Sequence, residues 1–265
     1  MAAISPPGSV APGSSPEDGD GQRGSADMLP PAAPAGKSPP ACNGQPASAR
    51  WCAGTLSFLA GYVDTAGFIA LFGLFTAHVT GNFVLLGRAL VEPHHDVQLK
   101  LLAFPAFIAA VALCHLLVLR WQRPGGNALR RALLLQLGLL LAAAICGWLA
   151  APIRSSDAPL VMLSGLLCTA AMGVQNAYGK LLLPQLAATT VMTGNVTQLV
   201  IDAIDAARSP GTARPADQMK LLWPVLSFAA GAFGGALAVS RHGMAALLLP
   251  CLLLAVLAVT ARRGN

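Results

Sequence analysis

Charge is what this sequence has least of. Asp, Glu, Lys and Arg together make up 11% of 265 residues, against roughly 25% in a water-soluble domain. Hydrophobic residues reach 55% and mean hydropathy is +0.61, so the chain needs lipid as its solvent. The 17 Lys and Arg outnumber the 11 Asp and Glu, but they lie in short connections between apolar stretches and do not form a basic face. That pattern argues against nucleic acid as a partner and for a bilayer. Catalytic and metal-binding signatures are missing as well. The apolar region holds no His-Glu-x-x-His, no Gly-x-Ser-x-Gly and no nucleotide-binding loop, so no enzymatic activity and no cofactor is expected. The six cysteines form no Cys-x-x-Cys pair. Cys114, Cys146, Cys168 and Cys251 fall inside apolar segments and read as packed thiols. His94, His95 and Asp96 are neighbours in a polar connection, which reads as a solvated loop and not a metal site.

Large apolar residues are nearly absent from residues 1–50, which hold half of the 20 prolines together with much Ala, Gly and Ser. Such a segment cannot bury enough surface to offset its ordering entropy, and it reads as a disordered, solvated tail. Its string Gly19-Asp-Gly-Gln-Arg-Gly24 has dinucleotide-binding spacing but no strand before it or helix after it. The first apolar run begins only after Arg50 and Trp51, so membrane insertion is expected to use the first span itself.

Four apolar blocks have the length of one bilayer crossing: Leu101 to Leu119, Ala132 to Ala151, Leu221 to Ser240 and Gly243 to Ala261,. Two others, Gly54 to Val91 and Leu160 to about Ile204, are too long to cross as one straight helix. Each must break. The signals lie at Gly73 with Thr76 to Asn82 in the first, and at Lys180, Pro184 and Thr189 to Asn195 in the second,. These two blocks resemble one another. Gly61-Tyr-Val-Asp64-Thr-Ala and Thr76-Ala-His-Val-Thr-Gly-Asn82 in the first correspond, with one inserted residue, to Gly173-Val-Gln-Asn176-Ala-Tyr and Thr189-Thr-Val-Met-Thr-Gly-Asn195 in the second. Lys100-Leu-Leu and Lys220-Leu-Leu then open the next spans, and Arg120 and Arg241 close them. The order implies two homologous halves, about 54–151 and 160–261, within a membrane domain over 52–262.

With one crossing per long block there are six spans. Arg50, Arg120, Arg123, Arg130, Arg131, Arg208, Arg214, Lys220, Arg262 and Arg263 then share one side, and only Arg88, Lys100, Arg154 and Arg241 the other. Eight spans would erase that bias. The positive-inside rule makes the first side cytoplasmic, with both termini on it. Three spans per half is an odd number, so the second half inserts upside down relative to the first. The fold class is all-α: a polytopic membrane helix bundle of about six spans in two inverted three-span repeats with broken helices.

The strings Gly61-Tyr-Val-Asp-Thr-Ala-Gly-Phe, Thr80-Gly-Asn-Phe-Val-Leu-Leu-Gly, Met172-Gly-Val-Gln-Asn-Ala and Thr190-Val-Met-Thr-Gly-Asn-Val-Thr-Gln-Leu resemble the YoaK-type family of small bacterial membrane proteins, a domain of unknown function. The likeness covers about residues 52–262. It implies a bacterial plasma (inner) membrane protein of about six spans, and no substrate.

Polar residues within the apolar blocks form the candidate substrate or ion pathway: Asp64, His78, Thr80, Asn82, Gln175, Asn176, Thr193, Asn195 and Asp202. An ionised carboxylate at the centre of a membrane helix costs about 2.5 to 3.5 kcal/mol on insertion scales, so Asp64 must face the bundle interior or a wet cavity. If Gly54 marks the interface, Asp64 lies near the midplane, as a proton or cation site or as a buried acid bonded to a neighbouring helix. His78 could exchange protons with it. The Thr-Gly-Asn motifs either bring Asn82 and Asn195 together at one transport site or stitch helix breaks. Asp202 extends a polar path or marks the membrane boundary. Gly231-Ala-Phe-Gly-Gly235 suits close helix packing, within the protomer or in a homo-oligomer. The reading is a transporter or channel for an unidentified small solute, the alternative a non-transporting membrane scaffold or assembly protein. The charge bias predicts that single cysteines near Pro93 and Ser155 react with an impermeant thiol reagent outside the cell, and those near Gly125 and Gly211 do not. External labelling at Gly125 would refute the six-span arrangement.

Overall fold

A computed structural model describes residues 46–92, 97–122, 127–208 and 215–263. The sequence places its solvated tail, and His94, His95 and Asp96, largely or wholly outside this set. The described helices are α1 (Pro46–Ala70), α2 (Gly81–Ala89), α3 (Val97–Trp121), α4 (Ala128–Leu149), α5 (Pro159–Leu182), α6 (Met192–Arg208), α7 (Pro215–His242) and α8 (Leu248–Arg263), with a 3-10 turn at Gly243–Leu247. No strand occurs among the described residues. α1 starts at Pro46, inside the segment read as tail; proline is preorganised for the first turn of a helix, where its missing N–H costs nothing,.

Five stretches are long and apolar enough to cross a membrane: Ala49–Ala70, Val97–Trp121, Ala128–Leu149, Pro159–Leu182 and Gln218–Ala261. The last, at 44 residues, is a hairpin. Gly243 sits at φ +54, a conformation that ends α7 and that only glycine adopts at little cost. Contacts along the helices give their directions. Gly54, Gly61 and Gly235 of α1 and α7 show the two running parallel, with Gly54 against Trp223 and Ser227, and Gly235 against Tyr62. α8 runs opposite to both: Tyr62 Oη donates to the Ala246 carbonyl at 2.9 Å, and Trp51 lies near Val256 and Thr260. α4 opposes α8, since Asn127 Nδ2 donates to the Ala261 carbonyl at 2.8 Å while Gly147 meets Met244. α5 opposes α4, with Ser164 Oγ on the Ala143 carbonyl and Gln175 on Gln136. α3 runs with α5, from Leu99 beside Gly165 to Cys114 beside Val174.

Six helices therefore alternate in direction. Arg50, Arg120, Arg130 and Arg131 belong to helix ends at the basic end of the bundle, where α1, α4 and α7 begin. Arg88, Lys100, Arg154 and Arg241 lie at the far end. This division matches the one drawn from the charge count.

Burial sorts the helices into layers. Of the most apolar stretches, 72% of α1 and 61% of α5 are buried, against 22% of α3, so the first helices of the two long blocks are the central ones. The outward residues of α3, such as Ile108, Leu113, Leu116 and Leu119, are apolar and exposed, as a lipid-facing surface requires. Lipid tails are as apolar as leucine, so helix association in a bilayer depends on close packing more than on hydrophobic burial. Glycine supplies it. Gly61 of α1 abuts the Phe228 carbonyl of α7, Gly231 the Phe58 carbonyl and Gly235 the Tyr62 carbonyl. The stripe that offered a homo-oligomer surface is thus filled by α1 of the same chain, because its small residues let two backbones touch.

A Cβ at Gly231 would collide with the Phe58 backbone, whereas one at Gly87 would meet nothing within 4 Å. Gly231→Ala should destabilise the detergent-solubilised protein by about 1 to 3 kcal/mol, seen as a lower Tm. Gly87→Ala should be neutral or stabilise by up to about 1 kcal/mol. Equal melting of the two variants would contradict this packing.

Candidate functional site

Both long blocks break where the sequence marks them. α1 stops at Ala70, residues 71–80 turn back into the bundle, and α2 climbs out again. α5 stops at Leu182, residues 183–191 turn back from the basic end, and α6 follows. The first turn is tight: Phe72 and Gly73 sit at φ 56 and 77, a left-handed conformation unfavourable for phenylalanine.

A loop inside a bundle has lost its helical hydrogen bonds and must find others, since the hydrocarbon core holds no water. Asp64 meets the first loop. Its Oδ1 accepts from the backbone N–H groups of Thr76 and Ala77, both at 2.7 Å, and from Thr76 Oγ1 at 3.3 Å. Its Oδ2 lies 2.7 Å from His78 Nδ1. An ionised acceptor roughly doubles the strength of such bonds, which is why a carboxylate serves here. The Asp64 side chain is 6% exposed and the His78 side chain 35%, so only the imidazole meets the surroundings. The His78 ring also packs edge-on against Phe228 of α7.

The second loop is met by a neutral residue. Gln175 Nε2 donates to the Leu56 carbonyl at 2.8 Å and to Thr189 Oγ1 at 3.3 Å. Its Oε1 accepts from Gln136 Nε2 at 2.8 Å, and Gln136 Oε1 accepts from Tyr178 Oη at 2.7 Å. Gln136, Gln175 and Tyr178 are all fully buried. This chain ties α4, α5, α1 and the second loop together.

The two asparagines act alike and apart. Asn82 Oδ1 accepts from the Phe75 N–H at 3.0 Å and its Nδ2 donates to the Phe75 carbonyl at 2.8 Å. Asn195 Nδ2 donates to the Ala188 carbonyl at 2.8 Å. Each closes onto the residue seven positions earlier in its own loop, so the amides stitch the breaks and do not meet across the bundle. The Thr80 and Thr193 side chains are exposed; the buried threonines on the loops are Thr76, Thr189 and Thr190. Asn176 is partly buried. Asp202 accepts from Gln198 at 2.6 Å on the exposed side of α6, away from both loops.

Asp64 lies outward of the middle of its span, because the span begins at Ala49 and not at Gly54. The middle falls near Ala60. The first loop meets α1 at Asp64, and the second is joined to α1 through Gln175, which bonds both Thr189 and the Leu56 carbonyl; Asp64 and Leu56 lie about 12 Å apart along the axis. On α5 the first loop's Leu74 packs on Gly165 and the second meets Gln175, about 15 Å apart. The first loop thus leans on both central helices from the far end, and the second leans on α5 from the basic end and is tied to α1 through Gln175. A cavity of about 610 Å³ at the far end is bordered by Phe72, Gly73, Arg88, Lys100, Arg154 and Asp157. Another of about 250 Å³ toward the basic end is bordered by Gln175, Asn176, Lys180, Thr189 and Thr190. They share no lining residue.

Thr76, Thr189, Gln136, Tyr178 and Lys100 are not among the site residues read from the sequence. Gln136 carries the same signal as Asp64, a polar side chain inside an apolar block. Lys100 counted there as a connection charge, yet it is 5% exposed with its Nζ on the Phe72 carbonyl at 2.8 Å. Removing Asn82 strands a backbone N–H and a carbonyl, removing Asn195 a carbonyl alone, at about 1 to 3 kcal/mol for each buried group. Asn82→Ala should therefore lower Tm and folded yield more than Asn195→Ala. The reverse order would contradict the stitching role.

The family model described as Protein of unknown function (DUF1275) matches residues 52–260. The UPF0700 transmembrane protein YoaK of Bacillus subtilis (strain 168) is 32% identical over 149 residues, 56% of this chain and 64% of that protein, so the match spans less than two thirds of that relative. No solved structure matches the chain. The family match coincides with the helical bundle, and the apolar helices agree with the transmembrane character of the relative. The chain is a multi-pass membrane protein and belongs to the DUF1275 family, which includes YoaK-type proteins.

Proposed function

We propose that this protein transports a small solute across a bacterial inner membrane by alternating access, without acting as an enzyme. The observation that carries the reading is the pair of re-entrant loops. They enter from opposite ends, are tied to the same two central helices, the second to α1 through Gln175, and border separate cavities. Such an arrangement suits two gates that open in turn. The positive-inside rule puts the basic end, with both termini, in the cytoplasm.

Inverted repetition supports the same reading. α1 and α5 open the two halves and run in opposite directions. α1 packs on α7 of the second half, and α5 on α3 of the first. Gly61 meets the Phe228 carbonyl and Gly173 the Phe107 carbonyl. α3 and α7 each contain one interior proline, Pro105 and Pro224. Pseudo-symmetric halves of this kind can exchange conformations by small relative movements.

The chemistry of the gates differs. The far-end loop is held by a carboxylate, which loses much of its acceptor strength when protonated. Proton arrival at Asp64 through the half-exposed His78 would loosen Thr76 and Ala77, and proton departure would fasten them again. The basic-end loop is held by amides that do not titrate. One specific observation favours the scaffold reading: Asn82, Asn195 and the Gln136 chain are committed to internal bonds.

The test is a flux measurement on the full chain in proteoliposomes, with a panel of anionic, cationic and neutral radiolabelled solutes and an imposed pH gradient. At least one solute should accumulate. Asp64→Asn should abolish gradient-driven accumulation while leaving solute exchange within about tenfold of wild type, since it removes the charge and keeps the shape. Flux at the level of empty liposomes for every solute, from protein that melts normally, would leave the scaffold reading standing.

A further inference from the structure

We infer that the transported solute is a small anion, carrying a carboxylate or phosphate group, first engaged in the far-end cavity by Lys100, Arg88 and Arg154. The inference rests on the transport reading and names its substrate class. The three cations reach the cavity from α3, from α2 and from the connection between α4 and α5. Asp157 is the single carboxylate among the described residues bordering it. Arg88 is shared with Glu92, which its Nε and Nη2 approach at 2.7 and 2.6 Å. Among the described residues, the cavity toward the basic end is bordered by Lys180 and by no Asp or Glu. Both mouths therefore present net positive charge within low-dielectric walls, a field that concentrates anions and repels cations. A volume of about 610 Å³ lies in the range of small-molecule sites, roughly 300 to 1,000 Å³.

Lys100 gives the cavity its specific element. A buried ammonium is expensive in a membrane protein, and such residues line substrate paths far more often than they face lipid. Its Nζ donates to the carbonyl of Phe72, the left-handed residue at which the far-end loop begins. An anion that drew the ammonium into the cavity would weaken the bond to that turn, so binding and loop release would be linked through one side chain. The corresponding lysine of the second half, Lys220, is exposed, so of these two lysines only the far-end one is buried.

The experiment measures equilibrium binding of radiolabelled succinate and inorganic phosphate to the purified full chain, with choline and glucose as cationic and neutral controls in a constant sodium chloride background. One or both anions should bind saturably, and choline and glucose should not; the better anion tells carboxylate from phosphate. Lys100→Met should weaken that binding by about tenfold or more. If Lys100→Met elutes as aggregate, the exposed Arg154→Ala carries the same expectation. No saturable anion binding by folded wild type, or unchanged binding in the monodisperse variant, would overturn the inference. Proteoliposome exchange separates it from the transport reading. Exchange of choline or glucose without either anion sinks the anion class and leaves transport intact. Lys100-dependent anion binding without flux of any solute keeps the anion site and removes transport.

Discussion

The hydrogen bonds from the Thr76 and Ala77 backbone to Asp64 are the constraint around which the far half of this bundle is arranged. A membrane helix satisfies its own backbone, and a broken one does not. Once residues 71–80 leave helical geometry, their N–H groups need an acceptor that water cannot provide. The carboxylate that supplies it must lie on a helix surrounded by protein, which makes α1 a central helix. Its neighbours must then come close enough to exclude lipid. Glycines at 61, 231 and 235 permit that approach.

The second half solves the same problem with different chemistry. Gln175, Gln136 and Tyr178 form an uncharged chain in which every polar atom in the described bonds has a partner, and its members are fully buried. A neutral network avoids the desolvation cost of an ion and responds to neither pH nor salt. The Asp64–His78 pair is the reverse case, with a buried acid joined to a base that reaches the surroundings. Two loops of like geometry are therefore held by different chemistry, one by a buried carboxylate paired with a half-exposed imidazole and the other by a buried chain of amides and a phenol.

Close backbone packing and internal polar bonding also explain how a chain with so little charge keeps one arrangement. Apolar side chains against lipid do not distinguish one helix pairing from another. The distinguishing contacts are few and specific: Tyr62 on the Ala246 carbonyl, Asn127 on the Ala261 carbonyl, Ser164 on the Ala143 carbonyl. Each joins helices distant in sequence or turning back on one another, and each falls where a polar side chain would otherwise be unpaired.

Membrane class, six crossings, the two interrupted blocks and the partition of basic residues were legible in the sequence, because hydropathy, charge and helix-breaking residues act locally along the chain. The burial of Asp64 followed from the cost of a charge in lipid, and the recurrence of Thr-Gly-Asn pointed to both breaks. Only the tertiary structure decided which residues of those motifs turn inward. Thr80 and Thr193, at the starts of α2 and α6, face outward while Thr76 and Thr189 of the loops meet Asp64 and Gln175, since a loop without helical period carries no record of its facing. The depth of Asp64, the burial of Lys100 and the filling of the Gly231 and Gly235 stripe by α1 were decided there too. Each depends on which helix lies opposite, and that is set by contacts between residues far apart in the chain.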